Sequence, residues 1–329
     1  MHIITCFFSY IAIVEDYAMK FISNVFMMTG IILIIPLLFY VLFHGTGSGN
    51  LPNIEKVNSG YTIERNGKDY DLDRYVTQVL PTQIGDDVEF EAVKAQAIII
   101  RTNILRQMGD RKKIDAKKLE ESYASSETLK KQMGKKEYQR KKQIWEKAVL
   151  QTRGMAMMSQ KDYIMPLFHA VSIGTTISTK ELYGKEISYL QSADSSSDVE
   201  SKDYMHVEEW KYEDARALIE KKRGTNVPSE EEIQKKIAVT SKTTSGYVKK
   251  IKVGSETFTG EEWAEIFSLP STNFYVEDYE GKMRIITLGK GHGLGLSQYG
   301  ANEMAKDGVD AQTILNHYYQ KIEIKKVYE

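Results

Sequence analysis

A long uncharged stretch near the N-terminus most constrains how this chain can fold. Residues 21–43 read FISNVFMMTGIILIIPLLFYVLF, 23 residues without a charged side chain. A helix of about 20 apolar residues spans a bilayer, and Pro36 is tolerated in a membrane helix. We predict an uncleaved transmembrane anchor, because the stretch is long for a signal peptide and glycine-rich sequence follows it. A cleaved signal peptide is the alternative.

The segment before this stretch predicts the start of translation and the orientation. Met19 and Lys20 directly precede the stretch, so we interpret residues 1–20 as a short N-terminal segment and Met19 as the true start. Cys6, the one cysteine of the chain, would then be absent, and no disulfide within the chain is possible in either case. Lys20 marks the cytoplasmic side. We expect a single-pass protein of the cell membrane with its bulk outside the cytoplasm.

The rest of the chain has the pattern of a globular α+β domain. Residues 44–54 form a glycine-rich linker, and residues 55–329 contain alternating strand patterns and amphipathic helix patterns. Asn66-Gly67 predicts a hairpin turn, residues 89–107 a strong helix, and Thr259 and Asp310 two helix N-caps. The predicted fold class is therefore one mixed helix-and-sheet domain with a cleft, preceded by one transmembrane helix.

A highly charged segment interrupts this domain. Residues 110–147 contain thirteen basic and seven acidic side chains. This composition predicts a solvated helical insertion; contact with an anionic wall polymer, lipid headgroups or a partner is the alternative. The whole chain has a net charge of −1, which gives no reason to expect nucleic-acid binding.

A glycine loop near the C-terminus is the most unusual local motif. Residues 288–301 read LGKGHGLGLSQYGA, and their spacing matches neither G-x-G-x-x-G nor the P-loop, which argues against nucleotide binding. No HExxH pair occurs either, so we expect no metal and no cofactor. Alternate glycines would let a long ligand approach the backbone. His292 could enter a groove, and the helix start at residues 297–299 could bind a hydroxyl or oxyanion.

Several blocks in the same order resemble one protein family. GHGLGLSQYGANEMAKDGVDAQTILNHYYQKIEI and DRYVTQVLPTQIGDDVEFEAVKAQAIIIRTNIL resemble the two strongest signatures of the stage II sporulation protein D and amidase-enhancer (SpoIID/LytB) family. LFHAVSIGTTISTKELYGKEISYLQS and FSLPSTNFYVE resemble weaker ones, so the resemblance covers residues 54–324. It implies lytic transglycosylase chemistry on peptidoglycan glycan strands, or stimulation of a cell-wall amidase. It also implies a membrane-anchored partner of other sporulation proteins during engulfment.

One departure from the family pattern bears directly on activity. The family's catalytic glutamate falls on Gln83, because Gln-Ile-Gly stands where Glu-Met-Pro is expected. Glycosidic cleavage needs a carboxylic acid to protonate the leaving oxygen, and an amide cannot supply that proton. We therefore expect a glycan-binding protein impaired in catalysis. An active enzyme that uses Asp86 or Asp87, or a non-enzymatic amidase activator, is the alternative, and whether the protein is an enzyme stays open.

The remaining candidate residues are expected to line a glycan-binding groove. For each of them, packing in the core or in a turn is the alternative. They are Lys94, Gln96, Arg101, Ser172, His292, Ser297, Gln298 and Tyr299.

Overall fold

The computed structural model describes residues 52–329, which form one compact unit. Its α-helices, in chain order, are α1 (Leu72–Gln83), α2 (Phe90–Met108), α3 (Ser126–Met133), α4 (Lys135–Gln151), α5 (Thr179–Tyr183), α6 (Tyr212–Arg223), α7 (Glu230–Lys235), α8 (Gly260–Phe267), α9 (Gln298–Lys306) and α10 (Ala311–Tyr318). Short 3₁₀ turns lie at Ile54–Lys56, Ala116–Lys118 and Ser196–Glu200.

The strands are short and are divided among several small sheets. In chain order they are β1 (Thr62–Arg65), β2 (Lys68–Asp71), β3 (Lys113–Asp115), β4 (Met155–Ser159), β5 (Asp162–Tyr163), β6 (Phe168–His169), β7 (Met205–Trp210), β8 (Ile237–Lys242), β9 (Val248–Val253), β10 (Glu256–Thr259), β11 (Phe274–Tyr279), β12 (Lys282–Leu288), β13 (Leu296–Ser297) and β14 (Glu323–Lys326). The sheet orders are β2-β1-β3, β10-β9-β8, β11-β12-β7 and β14-β4-β5, with β13 parallel to β6 as a separate pair.

The predicted fold class needs one correction. The mixed α+β architecture is present, but among residues 52–329 no helix is long and apolar enough to cross a membrane. The stretch predicted as an anchor, residues 21–43, lies outside the described residues, as do the possible start at Met19 and most of the linker.

Helix α2 is the central element of the fold. It contacts α1, α4, α9, α10 and β4, and its apolar side chains contribute to two buried clusters on different sides. A helix that is apolar on most of its surface is expected in the middle of a domain. Two of its polar side chains, Asn103 and Arg106, line a cleft.

The charged segment is more deeply integrated than the sequence indicates. Its first part forms β3, which pairs parallel to β1, and Leu129, Tyr138 and Trp145 are buried in the same cluster as α1 and α2. Eight of the thirteen basic residues lie on α3 and α4, whose opposite faces are part of the core. Leu129 on α3, and Tyr138 and Trp145 on α4, therefore attach the charged segment to the core although its apolar content is low.

Candidate functional site

Three glutamines from three elements meet at the C-terminal end of α1. The side-chain amide of Gln96 donates to Gln83 Oε1 at 3.0 Å. The amide of Gln298, the first residue of α9, donates to the carbonyl oxygen of Gln83 at 2.6 Å and to Gln96 Oε1 at 3.3 Å. The predicted residues Gln83, Gln96 and Gln298 are therefore brought together, although up to 215 positions separate them in the chain.

A cleft of about 440 Å³ opens beside this glutamine network. Its walls combine polar side chains with an apolar segment that leads into β6, and the volume is in the range of typical small-ligand sites. The lining residues are Gln83, Asn103, Arg106, Glu120, Glu121, Met165, Pro166, Leu167, Phe168 and His292. Gln83 and His292 thus contribute to the same cavity.

His292 stands at the cleft beside a second, buried histidine. The rings of His292 and His169 are 5.8 Å apart and tilted by 54°. Nδ1 of His292 accepts the backbone N–H of Leu294 at 3.0 Å, which leaves its proton on Nε2. Desolvation lowers the pKa of His292, against the smaller opposing effect of a hydrogen bond to the Phe168 backbone, so its ring is neutral near pH 7.

His169 was not among the predicted site residues. Its Nδ1 lies 3.1 Å from the carbonyl oxygen of Leu294, and its Nε2 is buried without a hydrogen-bond partner in the described part of the chain. Burial, with a smaller effect from His292, lowers the pKa of His169 to about 3. His169 is therefore neutral, and its side chain packs against the glycine loop.

The glycine loop packs against protein, which corrects the interpretation of its glycines. All four have positive φ, but a Cβ on Gly295 would lie 1.9 Å from the carbonyl oxygen of Leu167, and one on Gly293 would lie 2.2 Å from Tyr247 Oη. A Cβ on Gly291 would lie 2.7 Å from the His169 side chain. The glycines therefore let the loop approach its own neighbours, and the ligand-facing group of the loop is His292.

Four of the predicted groove residues have other contacts. Arg101 is fully buried and forms an ion pair with Asp73 at 2.8 Å, so it does not reach the cleft. Ser172 and Ser297 are also fully buried: the Ser172 N–H and the Ser297 hydroxyl both donate to the Asp198 carboxylate. Lys94 forms an ion pair with Glu91 on its own helix and does not line the cleft.

Ser297 also caps α9, since its hydroxyl accepts the Gly300 N–H at 3.3 Å. Tyr299 is half-buried, and its backbone N–H donates to the Ala170 carbonyl oxygen at 3.0 Å. It does not line the cleft.

The two carboxylates expected to replace the missing acid point elsewhere. Asp86 pairs with Lys141, and Asp87 lies 3.8 Å from Arg140. Both are exposed and line a different cavity, formed between the α1–α2 connection and α4. The structure therefore does not bring Asp86 or Asp87 together with Gln83 and His292.

A buried carboxyl that the sequence analysis did not single out lies in the cleft instead. Glu121 is 7% exposed, and its carboxylate accepts Asn103 Nδ2 at 2.7 Å and Gln107 Nε2 at 3.0 Å. Desolvation raises the pKa of Glu121, with a smaller contribution from the like charge of Glu120. The available signal was the pair Asn103 and Gln107, two amides one turn apart on a mainly apolar helix.

Comparison with known proteins supports the resemblance found in the sequence. Residues 64–158 match the model of the family described as stage II sporulation protein (SpoIID). The match covers β1, β2, α1, α2 and the charged segment, and so includes Gln83, Gln96 and Glu121.

Whole-chain relatives agree with this match. Stage II sporulation protein D of Bacillus subtilis (strain 168) is 29% identical over 273 residues, which are 80% of this chain and 77% of that protein. Its counterpart in Bacillus amyloliquefaciens is 29% identical over 78% of this chain and 74% of that protein. An uncharacterised protein of Brachyspira hyodysenteriae is 26% identical over 77% of this chain. The predicted resemblance is confirmed: residues 64–158 match the SpoIID family model, and about four-fifths of the chain is similar to stage II sporulation protein D.

Proposed function

We propose that the protein binds peptidoglycan glycan strands in the cleft between Gln83 and His292, as part of cell-wall remodelling during sporulation. The relatives named above support a sporulation-related role. The observation that carries the proposal is the glutamine network, which fixes an amide at the wall of a cleft of ligand size.

The chemistry of the cleft walls fits a sugar. With Gln83 Oε1 accepting from Gln96, the Gln83 amide nitrogen has no protein partner among residues 52–329 and can donate to a sugar hydroxyl. His292 adds a neutral imidazole ring to the wall of the same cavity. The apolar side chains of Met165, Leu167 and Phe168 supply a surface for the carbon face of a ring.

The side chain at position 83 can bind a glycan but cannot act as an acid. An amide has no titratable proton near neutral pH, so Gln83 can hold a glycan but cannot protonate its glycosidic oxygen. Any cleavage by this protein therefore requires a different acid.

Binding of glycan strands stripped of their peptides tests this proposal. We expect the full-length protein to bind such strands, and Gln83→Met to weaken binding about fivefold, because a side chain of similar size loses a hydrogen bond worth about 1 kcal/mol. Gln312→Met, the same change at an exposed position on α10, is the matched control. Equal affinity of the wild type and both variants, or no binding by the wild type, would contradict the proposal.

A further inference from the structure

Glu121 is a carboxyl that lines the cleft and is held there by hydrogen bonds to α2. It lies in the irregular segment between the Ala116–Lys118 turn and α3, and this segment is tied to α1 where the Thr82 hydroxyl donates to the Ser122 carbonyl oxygen at 2.9 Å. Its carboxylate accepts hydrogen bonds from Asn103 and Gln107, both on α2. The position of Glu121 is therefore set by the same two helices that position Gln83 and Gln96.

The distance from the glutamine network to Glu121 follows from the geometry of α2. Gln96 bonds to Gln83 and Asn103 bonds to Glu121, and these two α2 residues are seven positions apart. At 1.5 Å per residue, Glu121 lies roughly 10 Å along the helix axis from the glutamine network. Both ends line one continuous cavity, so a chain of sugar rings bound at Gln83 extends past Glu121.

Oε2 is the less heavily hydrogen-bonded oxygen of Glu121 toward other side chains. Oε1 accepts from both Asn103 and Gln107, at 2.7 Å and 3.1 Å, whereas Oε2 accepts one such bond, from Gln107 at 3.0 Å. The backbone N–H of Glu121 itself also bonds to the carboxylate. The backbone N–H of Glu120 donates to Gln107 Oε1 at 2.9 Å, which fixes the orientation of that amide. Oε2 is thus the oxygen that can carry a proton toward the cavity.

We propose that Glu121 is the general acid of this cleft and protonates the glycosidic oxygen of a bound glycan strand, displaced along the cleft from Gln83. This inference rests on the proposed glycan binding. The proton moves from Glu121 Oε2 to the glycosidic oxygen as the bond from the anomeric carbon to that oxygen breaks. The 6-hydroxyl of the same sugar then attacks the anomeric carbon and returns its proton to Glu121, so no water is consumed and the carboxyl is regenerated.

The surroundings of Glu121 favour its protonated form. Desolvation is the largest influence and raises its pKa, and the like charge of Glu120 acts in the same direction, against the amide donors. A raised pKa lets a carboxyl retain a proton nearer neutral pH, as general acid catalysis needs. The titratable and charged groups around Glu121 and the cleft are Arg65, Tyr75, Arg106, Glu120, Tyr123 and His292.

A purely structural role is the competing explanation. The carboxylate of Glu121 links the segment after the Ala116–Lys118 turn to α2, and loss of that link would lower stability whether or not Glu121 is catalytic. A catalytic acid and a structural carboxylate differ in one measurable respect. The pH dependence of cleavage follows the pKa of Glu121 only if Glu121 donates a proton in the reaction.

The first experiment measures binding and cleavage on the same samples. The full-length protein and Glu121→Gln are incubated with stripped glycan strands, and 1,6-anhydro products are measured by mass spectrometry. We expect the wild type to form these products and Glu121→Gln to form 10²- to 10⁴-fold less while still binding glycan. If the wild type binds but forms no product, or if Glu121→Gln cleaves normally, the inference is wrong and the glycan-binding proposal stands. If the wild type does not bind, the proposed function itself fails.

The second experiment separates an acid from a structural carboxylate. Cleavage should fall as pH rises through the pKa of Glu121, because the acid must begin the reaction protonated. Glu120→Gln removes a like charge that raises the pKa of Glu121, so the decrease in cleavage with rising pH should occur at lower pH. Gln107→Ala removes a donor that favours the ionised form, so the fall should move to higher pH. Both variants retain the Glu121 carboxyl, and an identical pH profile in all three proteins would overturn the proposal.

Discussion

At the scale of single residues, the question is which side chain of the cleft can release a proton. Gln83 stands where the family resemblance places a catalytic acid; its side-chain oxygen accepts a hydrogen bond from Gln96, and its backbone carbonyl oxygen accepts one from Gln298. A glutamate at position 83 would have the same length and could accept the same hydrogen bond from Gln96. A carboxyl could therefore replace the amide at position 83 without loss of this hydrogen bond.

We expect Gln83→Glu, made in the Glu121→Gln background, to restore cleavage. The background would lack the acid of the cleft, and a carboxyl returned to position 83 should raise 1,6-anhydro product formation by about 10²- to 10⁴-fold. Mass spectrometry of the products measures the effect. Gln312→Glu in the same background, an exposed glutamine on α10, is the control that should leave cleavage unchanged. Recovery by the control alone, or by neither variant, would contradict the assignment of position 83 as a vacant acid position.

Arg101 shows where residue-level prediction failed. Its place in the signature block made it a groove candidate, but it lies in the core, bonded to Asp73, to Tyr328 Oη and to the carbonyl oxygens of Val149 and Met155. Helical periodicity assigns it to a face of α2, but that periodicity does not reveal that α4 and the C-terminal segment cover this face.

We expect Arg101→Met to destabilise the protein by about 3–5 kcal/mol, because it leaves the buried Asp73 carboxylate without its main partner. Denaturant unfolding measures this. Adding Asp73→Asn should recover part of the loss, since the unpaired charge is then removed. Arg216→Met, in an exposed pair with Glu220, should change the free energy of unfolding by less than about 1 kcal/mol. A loss in Arg101→Met no larger than in this control would contradict the buried-pair argument.

At the scale of elements, local patterns predicted much of the fold. The Asn66-Gly67 turn joins β1 and β2, the helix predicted at residues 89–107 is α2, and the side chains of Thr259 and Asp310 cap α8 and α10. These features depend on a few consecutive residues. The glycine loop was misinterpreted because its neighbours, Leu167 and Tyr247, come from distant parts of the chain.

We expect Gly295→Ala to destabilise the protein by at least about 2 kcal/mol. The alanine Cβ would lie 1.9 Å from the Leu167 carbonyl oxygen, which is a steric clash. In addition, φ is +70° at this position, and an alanine with that backbone conformation is strained. Gly308→Ala is the matched control, with φ of +83° and no atom within 4 Å of the added Cβ. Denaturant unfolding compares the two variants, and equal losses would show that close packing is not what position 295 requires.

At the scale of the whole molecule, the cleft exists only because distant segments converge. Gln83, Glu121 and His292 come from α1, the charged segment and the glycine loop, and no local pattern places them together. The family signatures identified two of these three residues. Glu121 was missed because the charged segment was interpreted as a solvated insertion, whereas the structure pairs and buries part of it.

The packing of these distant segments also buries His169, and this burial makes the stability of the whole molecule depend on pH. The pKa of His169 is about 3 in the folded protein and about 6.5 in an unfolded chain. Between these values the unfolded state binds the proton and the folded state does not, so acidification favours unfolding. The stabilising effect is complete above about pH 6.5 and is lost as pH falls toward 3.

We expect His169→Asn to flatten this dependence. The asparagine amide can donate to the Leu294 carbonyl oxygen, as Nδ1 of His169 does, but it does not titrate. The variant should be less stable than the wild type at pH 7, because an asparagine fills less of the buried site. Its free energy of unfolding should then fall less between pH 6.5 and pH 4, by a few kcal/mol. Denaturant unfolding at a series of pH values measures both slopes, and equal slopes would show that His169 is not kept neutral by its burial beneath the glycine loop.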